Sequence, residues 1–177
     1  YAWMATEDGG VESSSGSWTG GYEVVISGTN LCNGTLADVT GVTLCGAPAT
    51  VTGVSGSTQI VVTAGVAVSA GAGDVVVQST SYGTTVGTNA FTYNAPGMQV
   101  LGTNGAAIVS GDDAQAANGT KFAPLLSGAS WTNTFSITNN GTETLTISGF
   151  ENVNPDFEIT GIPASVVKAA KRQLREF

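Results

Sequence analysis

The sequence has no histidine and only two cysteines, and charged residues make up 10% of its 177 residues. Without His, the commonest general base and the commonest zinc ligand are missing, which excludes His-based catalytic triads and zinc sites. Two adjacent acid pairs remain, Asp112-Asp113 and Glu7-Asp8. Adjacent strand residues point to opposite faces, so neither pair is placed to flank a glycosidic bond or to bind calcium. We interpret them as solvated turn acids and expect no enzyme activity, no metal and no cofactor.

Long apolar runs are also lacking. No stretch approaches the ~20 residues that cross a bilayer, and Tyr1-Ala2-Trp3-Met4 lacks the basic start and apolar core of a signal peptide. We therefore expect no membrane span in this chain. Because the chain begins with Tyr1 and not with a start Met, we expect it to be an excised piece of a longer protein. The net charge of −8 repels phosphate backbones, so nucleic acid is excluded as a partner.

Alternating apolar and polar residues recur in short runs along the first half of the chain. Tyr22, Val24 and Ile26 share one face of such a run, as expected of a half-buried strand. The 25 glycines among many Thr, Ser, Val and Ala are typical of strands joined by tight turns, and turns are predicted at Gly46 and Gly56. The 41% of hydrophobic residues is too high for a disordered chain. Strands are predicted at 22–26, 42–45, 59–62, 74–77 and 91–93.

A second set of predicted strands follows the break at Asn94-Ala95-Pro96-Gly97, which we assign as a linker over 95–97. Asn139-Asn140-Gly141-Thr142 predicts a hairpin turn between two of them, because Asn-Gly tolerates positive φ. The predicted strands are 99–101, 107–109, 134–137, 144–147 and 157–159.

Residues 17–94 resemble the IPT/TIG domain, an immunoglobulin-like fold. The matching pieces occur in the order and spacing of the family, and Gly20-Gly21 permits the entry turn. The resemblance implies a β-sandwich and leaves the function open, because this fold serves many functions. The further matching pieces are Ile26-Ser27-Gly28-Thr29-Asn30-Leu31, Val42-Thr43-Leu44-Cys45-Gly46, Gln59-Ile60-Val61-Val62, Gly73-Asp74-Val75-Val76-Val77 and Phe91-Thr92-Tyr93.

Residues 98–160 are similar to a choice-of-anchor D or ASPM-SPD-2-Hydin repeat, through Gly119-Thr120-Lys121-Phe122 and the run from Phe135 to Thr142. The family continues with further strands after Phe157, whereas here a basic tail begins. The resemblance therefore implies a second immunoglobulin-like domain, over 98–163, that is incomplete or atypically finished. The expected fold class is all-β, with two tandem immunoglobulin-like β-sandwiches.

The two chain ends are expected to form elements outside the two immunoglobulin-like domains. The tail, 164–177, holds four of the five basic residues, and Ser165 could cap a helix with Val166, Ala170 and Leu174 along one side. A processing remnant is the alternative. The N-terminal segment, 1–16, contains an apolar stretch over 1–5 that could donate a strand to another copy's unfinished domain. The alternative is that the tail folds back and caps that edge within one chain.

Covalent modification is expected at two kinds of residue. Cys32 and Cys45 suggest a disulfide in an oxidising compartment, and two buried thiols are the alternative. Asn33, Asn118 and Asn140 each begin an Asn-Gly-Thr sequon, which is both a glycosylation acceptor and a good turn.

These observations favour a non-catalytic structural or adhesive module of a large extracellular or cell-surface repeat protein. Its expected partners are other copies or neighbouring domains of the same surface protein, together with glycans. The alternative is an accessory carbohydrate-binding module of a secreted carbohydrate-active enzyme, which an exposed aromatic row would support. Trp3, Trp18 and Trp131 are too far apart in sequence to predict such a row.

Overall fold

The structure is a computed structural model that describes residues 3–4, 10–151, 156–167 and 171–176, with only the backbone of 3–4 and 171–176. Contacts divide the chain into unit 1, Tyr1–Ala95, and unit 2, Pro96–Phe177. The described residues form strands and one 3-10 turn, which confirms the all-β fold class. No helix in the described ranges is long and apolar enough to cross a membrane.

Unit 1 is built on a nine-stranded sheet in the order β1-β4-β7-β6-β5-β8-β9-β3, with β2 also paired to β4. The long strand β6 pairs with β5 through its first residues and with β7 through the rest, and its register shifts between Val51 and Gly53. The sheet therefore curls at β6. The strands are β1 (Trp3–Met4), β2 (Val11–Glu12), β3 (Ser15–Ser17), β4 (Glu23–Thr29), β5 (Val39–Leu44), β6 (Ala47–Ser55), β7 (Gln59–Thr63), β8 (Gly71–Ser79) and β9 (Gly83–Asn94), with the 3-10 turn at Leu36–Asp38 before β5.

The core of unit 1 lies between the two halves of this curled sheet. Alternate residues of β4 and β7 from one half, and of β5, β8 and β9 from the other, are buried in one apolar cluster. The face predicted for the first strand is confirmed, since Val24 and Ile26 are fully buried and Tyr22 packs against the cluster. The other fully or almost fully buried apolar strand residues are Val42, Leu44, Ile60, Val62, Val75, Val77, Phe91 and Tyr93.

Unit 2 has a five-stranded sheet in the order β11-β10-β12-β16-β14 and a separate pair, β13-β15. Among its described residues, the buried apolar side chains are Ile137 and Val166, so its core is small. Met98, Val100 and Phe135 help to line an apolar hollow of about 280 Å³ beside that core. The strands are β10 (Met98–Leu101), β11 (Ala107–Ile108), β12 (Thr134–Asn139), β13 (Leu145–Thr146), β14 (Ile159–Thr160), β15 (Ser165–Val166) and β16 (Lys171–Glu176).

The tail of unit 2 contains strands, so the predicted helix beginning at Ser165 is wrong. Ser165 and Val166 form β15, and Lys171–Glu176 forms β16 between β12 and β14. Residues 168–170, which include Ala170, lie outside the described residues. The strand is favoured because β16 satisfies backbone groups of both neighbours, a tertiary gain that outweighs helix propensity. The tail therefore completes the sheet within the chain, which is the alternative that the sequence left open.

Two other pairings differ from the predictions. The turn at Asn139–Thr142 does not make a hairpin, because β12 pairs with β10 and β16 whereas β13 pairs with β15. At the other end of the chain, Trp3 and Met4 pair with Thr29 and Gly28 of β4. The described part of the segment predicted to be donated to another copy is thus used inside unit 1, and residues 1, 2 and 5 lie outside the described residues.

Candidate functional site

The acid pairs do not form a site in the described structure. Asp112 and Asp113 are both exposed, and Glu7 and Asp8 lie outside the described residues. Among the residues that the structure describes, no group of three or more His, Cys, Asp or Glu side chains is placed to hold a metal ion.

The predicted disulfide between Cys32 and Cys45 is wrong, because both residues carry free thiols. Cys32 precedes β5 and Cys45 follows it, so the length of a six-residue strand separates them. The buried Cys32 thiol donates to the carbonyl oxygen of Gly56 at 3.5 Å, and the Cys45 thiol donates to that of Phe91 at 3.3 Å. The alternative left open by the sequence, two thiols packed in the fold, describes this structure better.

Cys45 stands at the tight turn between β5 and β6 beside a hollow of about 490 Å³. Its φ of 49° and the φ of 80° at Gly46 give the left-handed pair of a two-residue hairpin. Burial raises the pKa of the Cys45 thiol, and the nearby Asp74 carboxylate raises it further, against a hydrogen bond that lowers it. A thiol with a raised pKa is a poor nucleophile, so Cys45 acts as a packing residue.

The three sequons lie at turns but differ in exposure. Asn33 and Asn140 are exposed, whereas Asn118 is 8% exposed. In Asn33-Gly34-Thr35 the Asn side-chain oxygen accepts from the Thr backbone N–H at 3.0 Å, and Asn118 does the same with Thr120 at 3.1 Å. The tripeptide thus has a structural use as a turn. Its burial makes Asn118 a poor glycan acceptor, and glycosylation of Asn33 and Asn140 stays a prediction.

Asp38 is an important residue that the sequence analysis missed. It is 5% exposed, and its carboxylate accepts from the Ser81 hydroxyl at 2.8 Å, the Ser81 N–H at 3.0 Å and the Asn33 N–H at 2.8 Å. Burial by itself would raise the pKa of Asp38, but the bonds from Ser81 and Asn33 outweigh it and lower the pKa. Asp38 therefore ties two loops together. A single acid in a predicted loop gives no sequence signal of this role.

The strand clamp is the feature with the clearest mechanical consequence. We define it as residues 14–18 with 92–94, where β3 runs parallel to the end of β9. Ser15 lies opposite Thr92, and Ser17 lies opposite Asn94. The Thr92 N–H donates to the Ser14 carbonyl at 2.9 Å, and the Trp18 N–H donates to the Asn94 carbonyl at 2.8 Å. A strand near the start of unit 1 is therefore bonded directly to the end of β9, where the chain leaves the unit.

Tyr22 supports the strand clamp from one side. Its hydroxyl donates to the Ser17 carbonyl at 3.0 Å. A Cβ added at Gly16 would lie 2.5 Å from the Tyr22 hydroxyl oxygen, so only glycine lets this ring lie so close to β3. The run Ser15-Gly16-Ser17 has no apolar alternation, which is why periodicity does not predict β3.

The tryptophans considered for a carbohydrate-binding aromatic row are not all in the same unit. Trp18 belongs to unit 1 and Trp131 to unit 2, and the side chain of Trp3 lies outside the described residues. Trp18 and Trp131 are both among the exposed large hydrophobic residues.

Comparisons with known proteins identify unit 1. Residues 10–93 match the family model of the IPT/TIG domain. No curated protein matches the chain. Among solved structures, the chain is similar to an auxiliary nutrient binding protein from Bacteroides thetaiotaomicron, with 16% identity and a TM-score of 0.41. That similarity covers 58% of this chain and 22% of the other.

The family match begins before the resemblance seen in the sequence and includes β2 and β3, both of which pair with strands of the unit 1 core. The likeness of residues 98–160 to a choice-of-anchor D repeat stays a prediction. Residues 10–93 form an IPT/TIG immunoglobulin-like domain.

Proposed function

We propose that this chain is a non-catalytic structural or adhesive module of a larger extracellular or cell-surface repeat protein, and that unit 1 resists tension along the chain. IPT/TIG domains are generally non-catalytic immunoglobulin-like modules, which supports the first part. The strand clamp supports the second part and is the observation that carries the proposal.

Tension would load the strand clamp in shear. In a parallel pair, the start of β3 and the end of β9 lie at opposite ends of the pairing, so pulling the chain draws them past each other. All the hydrogen bonds between them then carry load together, instead of opening one at a time. Each is worth about 0.5–1.5 kcal/mol net, so the resistance comes from simultaneous rupture. β1 and β2 precede the clamp but pair with β4 over two residues each, which makes them weaker links.

An extracellular location is part of the proposal. Immunoglobulin-like IPT/TIG domains are commonly extracellular, and the net charge of −8 suits a soluble surface. Because Cys32 and Cys45 are free thiols, the redox argument for an oxidising compartment no longer supports this location. The proposed partners are neighbouring domains or other copies of the same surface protein.

The load-bearing role can be tested with a matched pair of variants at Trp18. Trp18→Pro removes the N–H that donates to Asn94, whereas Trp18→Ala removes the side chain and keeps that N–H. We expect single-molecule pulling to show a lower unfolding force for unit 1 in Trp18→Pro than in Trp18→Ala. Equal unfolding forces for the two variants would contradict the role of the clamp.

The location can be tested on cells that express the full-length protein. A protease added to intact cells, or an antibody against this chain, should reach it without permeabilisation. Labelling that requires permeabilised cells would contradict the extracellular assignment.

An accessory carbohydrate-binding role is the second candidate function. An aromatic hollow in unit 2 favours it, and the hollow does not depend on the strand clamp.

A further inference from the structure

An open hollow of about 480 Å³ lies in unit 2 between the loop that contains Phe122 and Trp131 and the segment Asp156-Phe157. Small-molecule sites commonly have volumes of roughly 300–1,000 Å³, with apolar and aromatic walls and a few polar groups. Three aromatic residues line this hollow together with Asp156 and Ser130. Phe122, Trp131 and Phe157, which are distant in sequence, lie together here at the described surface of unit 2.

The indole N–H of Trp131 is hydrogen-bonded within unit 2, and half of the residue's surface is exposed. It is 50% exposed, and its indole N–H donates to the Asn133 side-chain oxygen at 3.0 Å. Asn133 in turn donates through its Nδ2 to the Gly119 carbonyl at 2.6 Å. Gly119 is buried, and a Cβ there would lie 2.5 Å from Cγ2 of Thr103, so the anchor lies in a closely packed part of unit 2. The indole is thus oriented in advance of any ligand.

Phe122 and Phe157 form the neighbouring part of the wall. Their ring centroids are 5.2 Å apart and their planes are tilted by 58°. Phe157 is nevertheless 38% exposed. Contact with aromatic surface of this kind gains about 25 cal/mol for each Å² removed from water, so an apolar ligand face would be stabilised here.

The mixture of groups selects the ligand class. Among the described residues that line the hollow, Asp156 is acidic and none is cationic, a balance that disfavours a phosphate or carboxylate ligand. A pyranose ring offers an apolar C–H face to an aromatic plane and hydroxyl groups at its rim. Carboxylate and hydroxyl groups pair with such hydroxyl groups through hydrogen bonds.

A small organic cation is the competing ligand, because aromatic faces and a carboxylate also attract positive charge. A cation-binding aromatic cage needs several rings whose faces point at the charge, whereas Phe122 and Phe157 are in contact with each other in a tilted arrangement. This geometry favours a flat ligand placed against Trp131.

We propose that this hollow binds a neutral glycan by stacking a pyranose ring on Trp131, with hydroxyl groups bonded to Asp156 and Ser130. The proposal rests on the carbohydrate-binding role named above and is separate from the load-bearing role, which the pulling experiments test. Its failure would leave the strand clamp unaffected.

The test is affinity electrophoresis of the intact chain in gels that contain a β-glucan, a xylan or a galactomannan. At least one of these neutral polysaccharides should slow the wild-type chain. Trp131→Ala should weaken the binding by about tenfold or more, as expected when an aromatic anchor is removed. Asn133→Ala should weaken it less, because the ring remains but loses its anchor. Leu126→Ala is the matched control, since Leu126 is 86% exposed in the same loop and does not line the hollow.

Several outcomes would overturn the proposal. The first is that none of the three polysaccharides slows the wild-type chain. The second is that Trp131→Ala binds as tightly as the wild type, and the third is that Trp131→Ala and Leu126→Ala lose the same amount of affinity. Tighter binding of polygalacturonate than of the neutral polymers would overturn the neutral assignment. Calorimetric titration with choline, if it showed Trp131-dependent binding while the polysaccharides showed none, would assign the hollow to a cation. Native-like near-ultraviolet circular dichroism of both variants shows that any loss of binding is local.

Discussion

Gly65 lies where its own backbone closely approaches those of Gly20 and Pro48 in unit 1. Its carbonyl accepts a hydrogen bond from the Tyr93 hydroxyl at 2.9 Å, and a Cβ added at Gly20 would lie 2.5 Å from the same oxygen. On the other side, a Cβ added at Gly65 would overlap the Pro48 carbonyl oxygen and lie 3.2 Å from its carbon. Gly65→Ala therefore forces one of these backbones to move.

The expected cost follows from this geometry. Restoring an ordinary non-bonded distance of about 3.5 Å from the Pro48 carbonyl oxygen requires a backbone shift of about 1.5 Å in a packed interior. Overpacking of this kind costs typically 1–3 kcal/mol, and a displaced Gly65 carbonyl weakens the Tyr93 bond by about 1 kcal/mol more. The free energy of unfolding of unit 1 should fall by about 2–4 kcal/mol. For a domain of this size, that lowers Tm by at least about 8 °C.

Gly53→Ala is the matched control. A Cβ at Gly53 would lie 3.9 Å from the Cβ of Val61, an ordinary contact, and neither glycine has a positive φ. This substitution should leave the Tm of unit 1 unchanged or raise it slightly, because Ala restricts the unfolded chain. Tyr93→Phe separates the two contributions, since it removes only the hydrogen bond and should cost about 1 kcal/mol.

The measurement is differential scanning calorimetry with hydrogen exchange followed by mass spectrometry. Calorimetry gives the shift in Tm, and exchange shows whether the loss of protection lies in unit 1. A Tm of Gly65→Ala within about 2 °C of the wild type would refute the packing argument, because a shift of that size corresponds to well under 1 kcal/mol.

Three further predictions follow from the structure. Because the pKa of Asp38 is lowered in the folded state, its contribution to stability is present above the ordinary value of 3.8 and is lost as pH falls through the lower folded value. At pH 7 Asp38→Asn should therefore unfold at a lower urea concentration than the wild type, and the difference in urea midpoint should narrow below pH 3.8. Asp112→Asn should hardly change the urea midpoint, and a difference for Asp38→Asn that does not depend on pH would contradict the prediction. In the native chain at neutral pH, alkylation without reductant should modify Cys32 and Cys45 only slowly. In urea without reductant both cysteines should be modified, and two unmodified cysteines would reveal a disulfide. The backbone amides of unit 2 should exchange faster than those of β4, β7 and β8, because Ile137 and Val166 are its buried apolar residues within the described part; equal protection would show a larger core than we describe.

Periodicity predicts the unit 1 strands that bury alternate side chains. Val24 with Ile26 and Val75 with Val77 are such pairs, and their alternation reflects the side-chain period of a strand. The strand β6 is not predicted by it, because Pro48 and Gly53 interrupt the pattern and Pro is unfavourable in most strands. Pro48 is tolerated where β6 passes from one half of the curled sheet to the other.

Pairings that depend on distant segments are the part that sequence patterns do not predict. The basic run of β16 resembles a helix locally, and only the free edges of β12 and β14 make it a strand. The two cysteines looked like a disulfide because their separation says nothing about the direction of the strand between them. The aromatic hollow in unit 2 was not predicted for the same reason, since Phe122, Trp131 and Phe157 meet through loops that have no period.

The most direct test of the load-bearing claim compares two pulling directions on unit 1. Handles placed before Ser15 and after Asn94 load β3 and β9 in shear, whereas handles at Thr19 and after Asn94 pull from the same end of the parallel pair and unzip it. The structure predicts a clearly higher unfolding force in the first geometry, and a smaller difference between the geometries in Trp18→Pro than in Trp18→Ala. Equal forces in the two geometries would contradict the claim that the strand clamp lets this domain resist tension.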